Sequence, residues 1–274
     1  MRLRRVRSGS PHELEALATR LAPNSPERQR IARRAREMTA MHLQDVLKDP
    51  PKVHGRGDAL FMMDKSVLRF VEGEIGEAST TLETGAGIST ILFALKHTTH
   101  ISVVPYAEEP NAIRAYCLEH DIPIDRLSFE IARSEIVLPR LTLPPLDLVL
   151  LDGRHGFPTP FIDWYYTSEA LRVGGLLVID DTQLWTGYVL KRFLQSENEW
   201  RLEHDFAPRA SVFRKVAEGS QSKSWTEQRY VVRKTATLGR INRIRRRARQ
   251  ARRLAELVRH GQFGTIARKM LGRQ

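Results

Sequence analysis

The period of apolar and polar positions changes near residue 79. Before it the order is helical. The segment "NSPERQRIARRAREMTAMHLQDVLKD" opens with Ser25 as a candidate N-cap and Pro26 at the first helical position. Ile31, Met38, Met41, Leu43 and Val46 give it a partly apolar face. The loop "DPPKVHGRGD" follows, then "KSVLRFVEGEIG", a short helix stopped by glycine. From residue 79 short apolar runs alternate with helical stretches. Strands are predicted at 79–84, 100–105, 126–132, 146–152 and 175–181, and helices at 88–96, 108–120, 134–140, 158–172 and 184–196. "EWRLEHDF" and "ASVFRKVA" read as a closing antiparallel pair. Such alternation predicts an α/β fold, a parallel sheet covered on both faces.

Beyond residue 218 the polar linker "EGSQSKS" leads to a predicted helix over 237–259. In it Leu238, Ile241, Ile244, Ala248, Ala251, Ala255 and Val258 recur at steps of three and four, and eight arginines stand between Arg240 and Arg253. A second short amphipathic unit, "QFGTIARKML", comes after it. The expected division is a helical region over 1–78, an α/β domain over 79–218, and a linker with a basic helical tail over 219–274.

Charge sharpens this division. The formal net charge is +12, unevenly placed: residues 51–239 hold 21 Lys/Arg against 25 Asp/Glu, whereas residues 240–274 hold 12 against 1. The middle is an ordinary, slightly acidic domain, and the basic excess speaks for a partner of the ends. A hydrophobic content of 41% and a charged content of 28% suit a soluble protein. No apolar run approaches the ~18–20 residues that span a bilayer. The basic start "MRLRRVRSGS" lacks the apolar stretch of a secretory signal. Cys117 is the single cysteine, so an intrachain disulfide is excluded and a cytoplasmic location is expected.

The candidate chemistry begins at "TLETGAGIST", Thr81 to Thr90, where the first predicted strand meets its helix. Gly85 and Gly87 let the backbone approach a ligand, and the N–H groups opening the helix can receive a carboxylate or phosphate. A dinucleotide site needs a third Gly or Ala where Thr90 stands, and an acid at the tip of the second strand, which instead ends "VVPYAEE". No Gly-Lys-Ser/Thr follows, so a P-loop fails as well. Glu83, two residues before Gly85, would repel pyrophosphate and suit a cationic ligand with an amino-acid end.

A second set lies in "LDLVLLDGRHGFPTPFIDWYY…LRVGGLLVIDD". Asp152 closes the fourth strand, Asp180 and Asp181 close the fifth, and one right-handed crossover brings both ends together. Clustered carboxylates raise each other's pKa unless a cation lies between them, and hard oxygen donors suit Mg²⁺ or a similar ion. His155, three residues after Asp152, is a candidate general base. Each also has a plainer use: Asp152 as a cofactor contact or helix cap, Asp180–Asp181 as an N-cap beside Thr182, His155 as a loop residue bonded to backbone. Phe157, Phe161, Trp164, Tyr165 and Tyr166 supply aromatic surface for packing or for stacking on an acceptor. His54 and Met62–Met63 are candidates for a cover over the glycine turn.

Glu-x-Gly-x-Gly at the end of the first of five alternating strands resembles the first motif of class I S-adenosylmethionine-dependent methyltransferases, over roughly residues 55–218. The resemblance implies a Rossmann-like seven-stranded sheet with its last strand antiparallel. It implies that Glu83, Gly85, Gly87 and Ser89 surround the methionine part of S-adenosylmethionine, with Asp152 also on the cofactor side. It implies that Ser134, with Glu135, in "ARSEIVLPRL" lies near adenine. The family's ribose-binding acid is replaced by Pro105 or Tyr106, with Glu108 as the substitute slightly farther on. The aspartate and histidine set resembles the metal-dependent O-methyltransferases of sugars and other small hydroxylated compounds. On that resemblance Asp152, Asp180 and Asp181 hold a divalent metal and His155 removes the acceptor's proton. The alternative is a metal-independent methyltransferase of RNA or protein docked by the basic ends, although "DGRHGFP" lacks the Asn/Asp-Pro-Pro-Tyr/Phe motif of amino methylation. The tail from 237 to 274 has three readings: a helix packed on the domain or on a second copy in a homo-oligomer, a peripheral contact with an anionic membrane, or nucleic-acid binding.

Overall fold

The apolar runs of the middle region are buried on both sides. In the computed structural model, which describes residues 11–22, 25–31, 41–53, 63–219 and 222–260, they form one seven-stranded sheet. Its strands are β1 (Thr80–Thr84), β2 (Thr99–Val104), β3 (Leu127–Ile131), β4 (Leu146–Leu151), β5 (Leu171–Ile179), β6 (Trp200–Phe206) and β7 (Ala210–Lys215). The spatial order is β3-β2-β1-β4-β5-β7-β6. β1 to β5 are parallel, and β7 runs antiparallel to both β5 and β6.

The helices are α1 (Pro11–Thr19), α2 (Leu43–Val46), α3 (Lys65–Glu74), α4 (Ile88–Leu95), α5 (Glu108–Glu119), α6 (Ser134–Val137), α7 (Thr159–Ala170), α8 (Trp185–Leu194) and α9 (Arg229–Arg259); residues 26–31 are helical too. The two-residue period of a strand splits each run between two cores. Leu148, Leu150, Leu176, Val178 and Val212 meet Val67, Leu68 and Val71 of α3 and Leu92–Phe93 of α4. Their alternates Leu82, Val149, Leu151, Leu177, Ile179 and Phe213 meet Trp164 of α7 and Leu190, Phe193 and Leu194 of α8. Each fully buried Leu, Ile or Phe contributes roughly 1.5–3 kcal/mol by leaving water.

Local chemistry fixes the ends of these elements. Asp64 caps α3, its Oδ1 accepting the Ser66 N–H at 2.8 Å. α7 stops at Ala170 because the buried Lys215 ammonium donates to the Ser168 and Leu171 carbonyls at 3.0 and 2.7 Å. Leu171 then takes strand geometry opposite Leu146, so β5 begins four residues earlier than the apolar run suggests. The helix expected over 134–140 divides into α6 and a 3-10 turn, Leu138–Arg140, where Pro139 has no N–H to give. The tail helix starts at Arg229 rather than 237. Glu197, remote in sequence, accepts the Arg229 and Tyr230 N–H groups at 3.3 and 2.9 Å, and the Tyr230 ring packs edge-on to Phe193. The predicted unit at 262–271, His54 and Met62 lie outside the described residues.

Candidate active site

Register places the site. Thr84 pairs with Leu151, and Leu151 with Ile179, so β1, β4 and β5 end level. The next residues, Gly85, Asp152 and Asp180, therefore leave the sheet side by side. Asp152 N–H still donates to the Thr84 carbonyl and Asp180 N–H to the Leu151 carbonyl, both at 3.0 Å. Gly85 has φ +96°, and a Cβ there would collide with the Asp152 carbonyl. Glycine is what lets the first strand turn this close to the fourth. Gly187 plays the same part for α8: a Cβ would lie 2.7 Å from the Asp181 carbonyl oxygen.

Two adjoining cavities open at these ends, in the place where ligands enter open α/β sheets. The larger, about 650 Å³, is lined by Gly85, Gly87, Ser89, Asp152, His155, Asp180 and Asp181 among others. The smaller, about 380 Å³, is lined by Tyr106, Arg133, Ser134 and Glu135, and shares Gly85, Pro105, Gly153 and Arg154 with the first. Seven of the nine site residues expected from sequence thus line one cavity, and Ser134 lines its neighbour.

Glu83 lines neither. Its buried carboxylate accepts from Ser89 Oγ at 2.6 Å and from Thr90 Oγ1, and His100 Nε2 lies 3.1 Å from its Oε1. Thr90 in turn accepts the Gly87 N–H at 3.0 Å. His100 Nδ1 is 2.8 Å from Thr81 Oγ1, and its ring stacks on Phe93 with centroids 4.1 Å apart. Glu83 therefore ties the glycine turn and the first turn of α4 to the second strand. Ser89 both lines the cavity and is held from behind.

On the other wall, His155 Nε2 lies 3.1 Å from Asp181 Oδ2 and 3.9 Å from Asp152 Oδ1. The Thr186 hydroxyl donates to the His155 carbonyl, which joins this loop to α8. Asp181 has φ +51°, and its Oδ1 also accepts from Gln183 Nε2 at 2.5 Å. Desolvation, then the charges of Asp180, Glu83 and Asp181, push the Asp152 carboxyl well above the usual range. Asp180 is raised as well, by burial first, and its Oδ1 is buried without a hydrogen-bond partner. Among the described residues no three His, Cys, Asp or Glu side chains close on one point as a metal site does. Asp181 is turned towards His155.

Several lining residues were not legible beforehand. Arg209 comes from the turn between β6 and β7, which antiparallel pairing brings to Asp181 at 4.0 Å. Its carbonyl accepts the Thr182 N–H at 2.8 Å. Glu109 lines the cavity after β2, whereas the expected Glu108 does not. Pro50, Pro51, Val53 and Met63, from before the first strand, line the larger cavity too. Arg154 sits inside the quoted "DGRHG" and borders both cavities.

No family model matches the sequence, and no curated protein matches it significantly. Solved structures do match its fold. The O-methyltransferase TomG of Streptomyces achromogenes, involved in tomaymycin synthesis and solved with S-adenosylmethionine, is 14% identical with a TM-score of 0.50, over 69% of this chain and 96% of that one. A candidate caffeoyl-CoA O-methyltransferase of Staphylococcus aureus is 9% identical with a TM-score of 0.51, over 68% and 98%. A Corynebacterium glutamicum protein is 17% identical with a TM-score of 0.50, over 65% and 88%. At these identities the likeness is one of fold: the chain has the seven-stranded Rossmann-like fold of class I methyltransferases.

Proposed function

We propose that the protein transfers a methyl group from S-adenosylmethionine to a hydroxyl of a small molecule or saccharide. The observation that carries this is the meeting of the Gly85 turn, Asp152, His155 and Asp180–Asp181 on one cavity at the carboxyl ends of β1, β4 and β5. The cradle fits the donor: Gly85 admits a ligand where a side chain would collide, and the cavity continues past Gly153 to Ser134 and Glu135. On this reading Gly87 and Ser89 border the amino-acid end, held by Glu83 from behind, and Glu109 is the acid that lines the cavity on the ribose side.

The sulfonium of bound S-adenosylmethionine supplies an electrophilic methyl and its own leaving group. What the chain must add is alignment and a nucleophile, because a neutral hydroxyl attacks poorly. His155 accepts the hydroxyl proton at Nδ1, because its Nε2–H donates to Asp181 Oδ2 at 3.1 Å, and Asp181 thereby holds the ring in place and balances the imidazolium that results. Pro50, Pro51, Val53 and Met63 give the cavity an apolar lining beside these polar groups.

Donor chemistry also supports a divalent cation such as Mg²⁺, which Asp152 and Asp180 would hold, joined by Asp181 once its carboxylate turns from His155. The set is all oxygen, burial raises both the Asp152 and Asp180 carboxyls with the Asp180 charge raising Asp152 further, and the Asp180 Oδ1 is buried without a hydrogen-bond partner. Bound there, an ion would supply a lowered pKa for a hydroxyl held beside Asp152 and Asp180. Isothermal titration with S-adenosylmethionine tests the whole reading: saturable one-to-one binding is expected, and its absence overturns the assignment.

A further inference from the structure

α9 leaves the domain after its first turn. Its root is fixed by Glu197 and by Tyr230 against Phe193, with the Arg229 guanidinium on Asn198. From Val232 to His260 every residue whose burial is described is exposed. At 1.5 Å per residue the helix extends ~46 Å. Residues 229–260 carry 12 Lys/Arg and 1 Asp/Glu. Among the described residues, none of the nine arginines from Arg240 to Arg259 has a side-chain hydrogen bond or ion pair. Like charges at i,i+4, such as Arg245 and Arg249 or Arg249 and Arg253, repel along the helix.

A narrow apolar line, two positions in each seven, runs between the arginines. Ile241, Ile244, Ala248, Ala251, Ala255 and Val258 follow one another at alternating steps of three and four, and Ile244 and Val258 are 68% and 49% exposed. That spacing is the seam of a coiled coil. A second copy does not fit it, because Arg240, Arg245, Arg247 and Arg252 flank the seam and would face arginines of the other copy. A nucleic acid would use the arginines and leave the apolar seam in water. One partner engages both faces: an anionic lipid surface, with the seam sunk at the headgroup boundary and the guanidinium groups on lipid phosphates.

We propose that α9 is a peripheral anchor that lays the protein on an anionic membrane. It crosses nothing: among the described residues no helix is long and apolar enough to span a bilayer. The anchor does not depend on the proposed methyl transfer, so titration with S-adenosylmethionine and lipid binding fail separately.

The test is flotation of the full chain with phosphatidylcholine vesicles, with and without phosphatidylserine, at physiological salt. Two full-chain variants accompany it: Arg245→Glu/Arg249→Glu/Arg253→Glu on the basic face, and Ile241→Ser/Ile244→Ser on the seam. All five side chains are solvent-exposed, so both variants keep the domain fold. Binding to the phosphatidylserine vesicles alone is expected, weakened about tenfold or more by either variant. A gain in helical ellipticity should accompany it, since an anionic surface relieves the repulsion between arginines. Duplex RNA is the control ligand. Absence of vesicle binding overturns the proposal. So does vesicle binding that the seam variant leaves intact, or RNA binding tighter than vesicle binding, because either makes α9 a polyanion site with no use for its apolar seam.

Discussion

His100 Nε2 stands 3.1 Å from Glu83 Oε1, with both side chains fully buried beneath the glycine turn. Neither residue reaches the cavity, yet the turn that shapes the cavity hangs from them through Ser89 and Thr90. Removing one partner of a buried hydrogen bond leaves a polar group unsatisfied and costs about 1–3 kcal/mol, more where that group is a carboxylate. His100→Ala is therefore expected to destabilise the fold by that order, read from urea unfolding. The milder Glu83→Gln and His100→Asn, combined in a double-mutant cycle, should show coupling on the order of 1–3 kcal/mol. Additive effects in the cycle would mean the contact has no energetic consequence.

Gly85→Ala places a methyl group against the Asp152 carbonyl at a φ of +96°. The strain is about 1–3 kcal/mol in the folded state. Its larger effect is expected on ligand binding, since relief of the collision moves the ends of β1 and β4 apart. Calorimetry should find S-adenosylmethionine affinity reduced at least about tenfold, the equivalent of roughly 1.4 kcal/mol. An unchanged affinity would separate the turn from the cofactor.

Asp163, in α7, is nearly fully buried, and desolvation pushes its carboxyl up to about 6 against the pull of the nearby Ser134 and Thr84 hydroxyls. A raised pKa in the folded state means that the native protein holds the proton more tightly than the unfolded chain does. Its contribution is complete below the usual carboxylate value and is lost as pH rises through about 6. Asp163→Asn removes the titration. The variant should gain on the parent as pH rises from 4 to 7, by up to ~3 kcal/mol at one pKa unit per 1.36 kcal/mol. Urea midpoints at several pH values measure it, and a constant difference would place the titration elsewhere.

For the chemistry, His155→Ala should lower kcat about 10²- to 10⁴-fold while leaving S-adenosylmethionine affinity near that of the parent. Full turnover in the variant rejects His155 as the base. Exhaustive EDTA treatment should lower turnover and Mg²⁺ should restore it, with the same response weakened in Asp180→Asn. Undiminished activity in EDTA removes the metal from the mechanism.

The two periods of the sequence, two in strands and 3.6 in helices, determined much of the fold. β1 to β4 stand within a residue or two of their expected places, because a run such as "LDLVLL" has no other way to bury both of its sides. Boundaries failed where a distant side chain decided them. Lys215 ends α7 and Glu197 starts α9, and neither is near those helices in the chain.

The site divides in the same way. By itself the sequence determined the residue types and their place at strand ends: Gly85, Asp152, Asp180 and Asp181 follow apolar runs, and a parallel sheet aligns such ends. Only the tertiary structure decided which way each side chain turns. Glu83 looks from sequence like a ligand contact, but strand alternation points it inward, where His100 one strand over completes its hydrogen bonds. Arg209 enters from a hairpin that antiparallel pairing swings back across the fifth strand. Local pattern encodes burial and element, whereas partners across strands depend on register, which is fixed only when the whole sheet assembles.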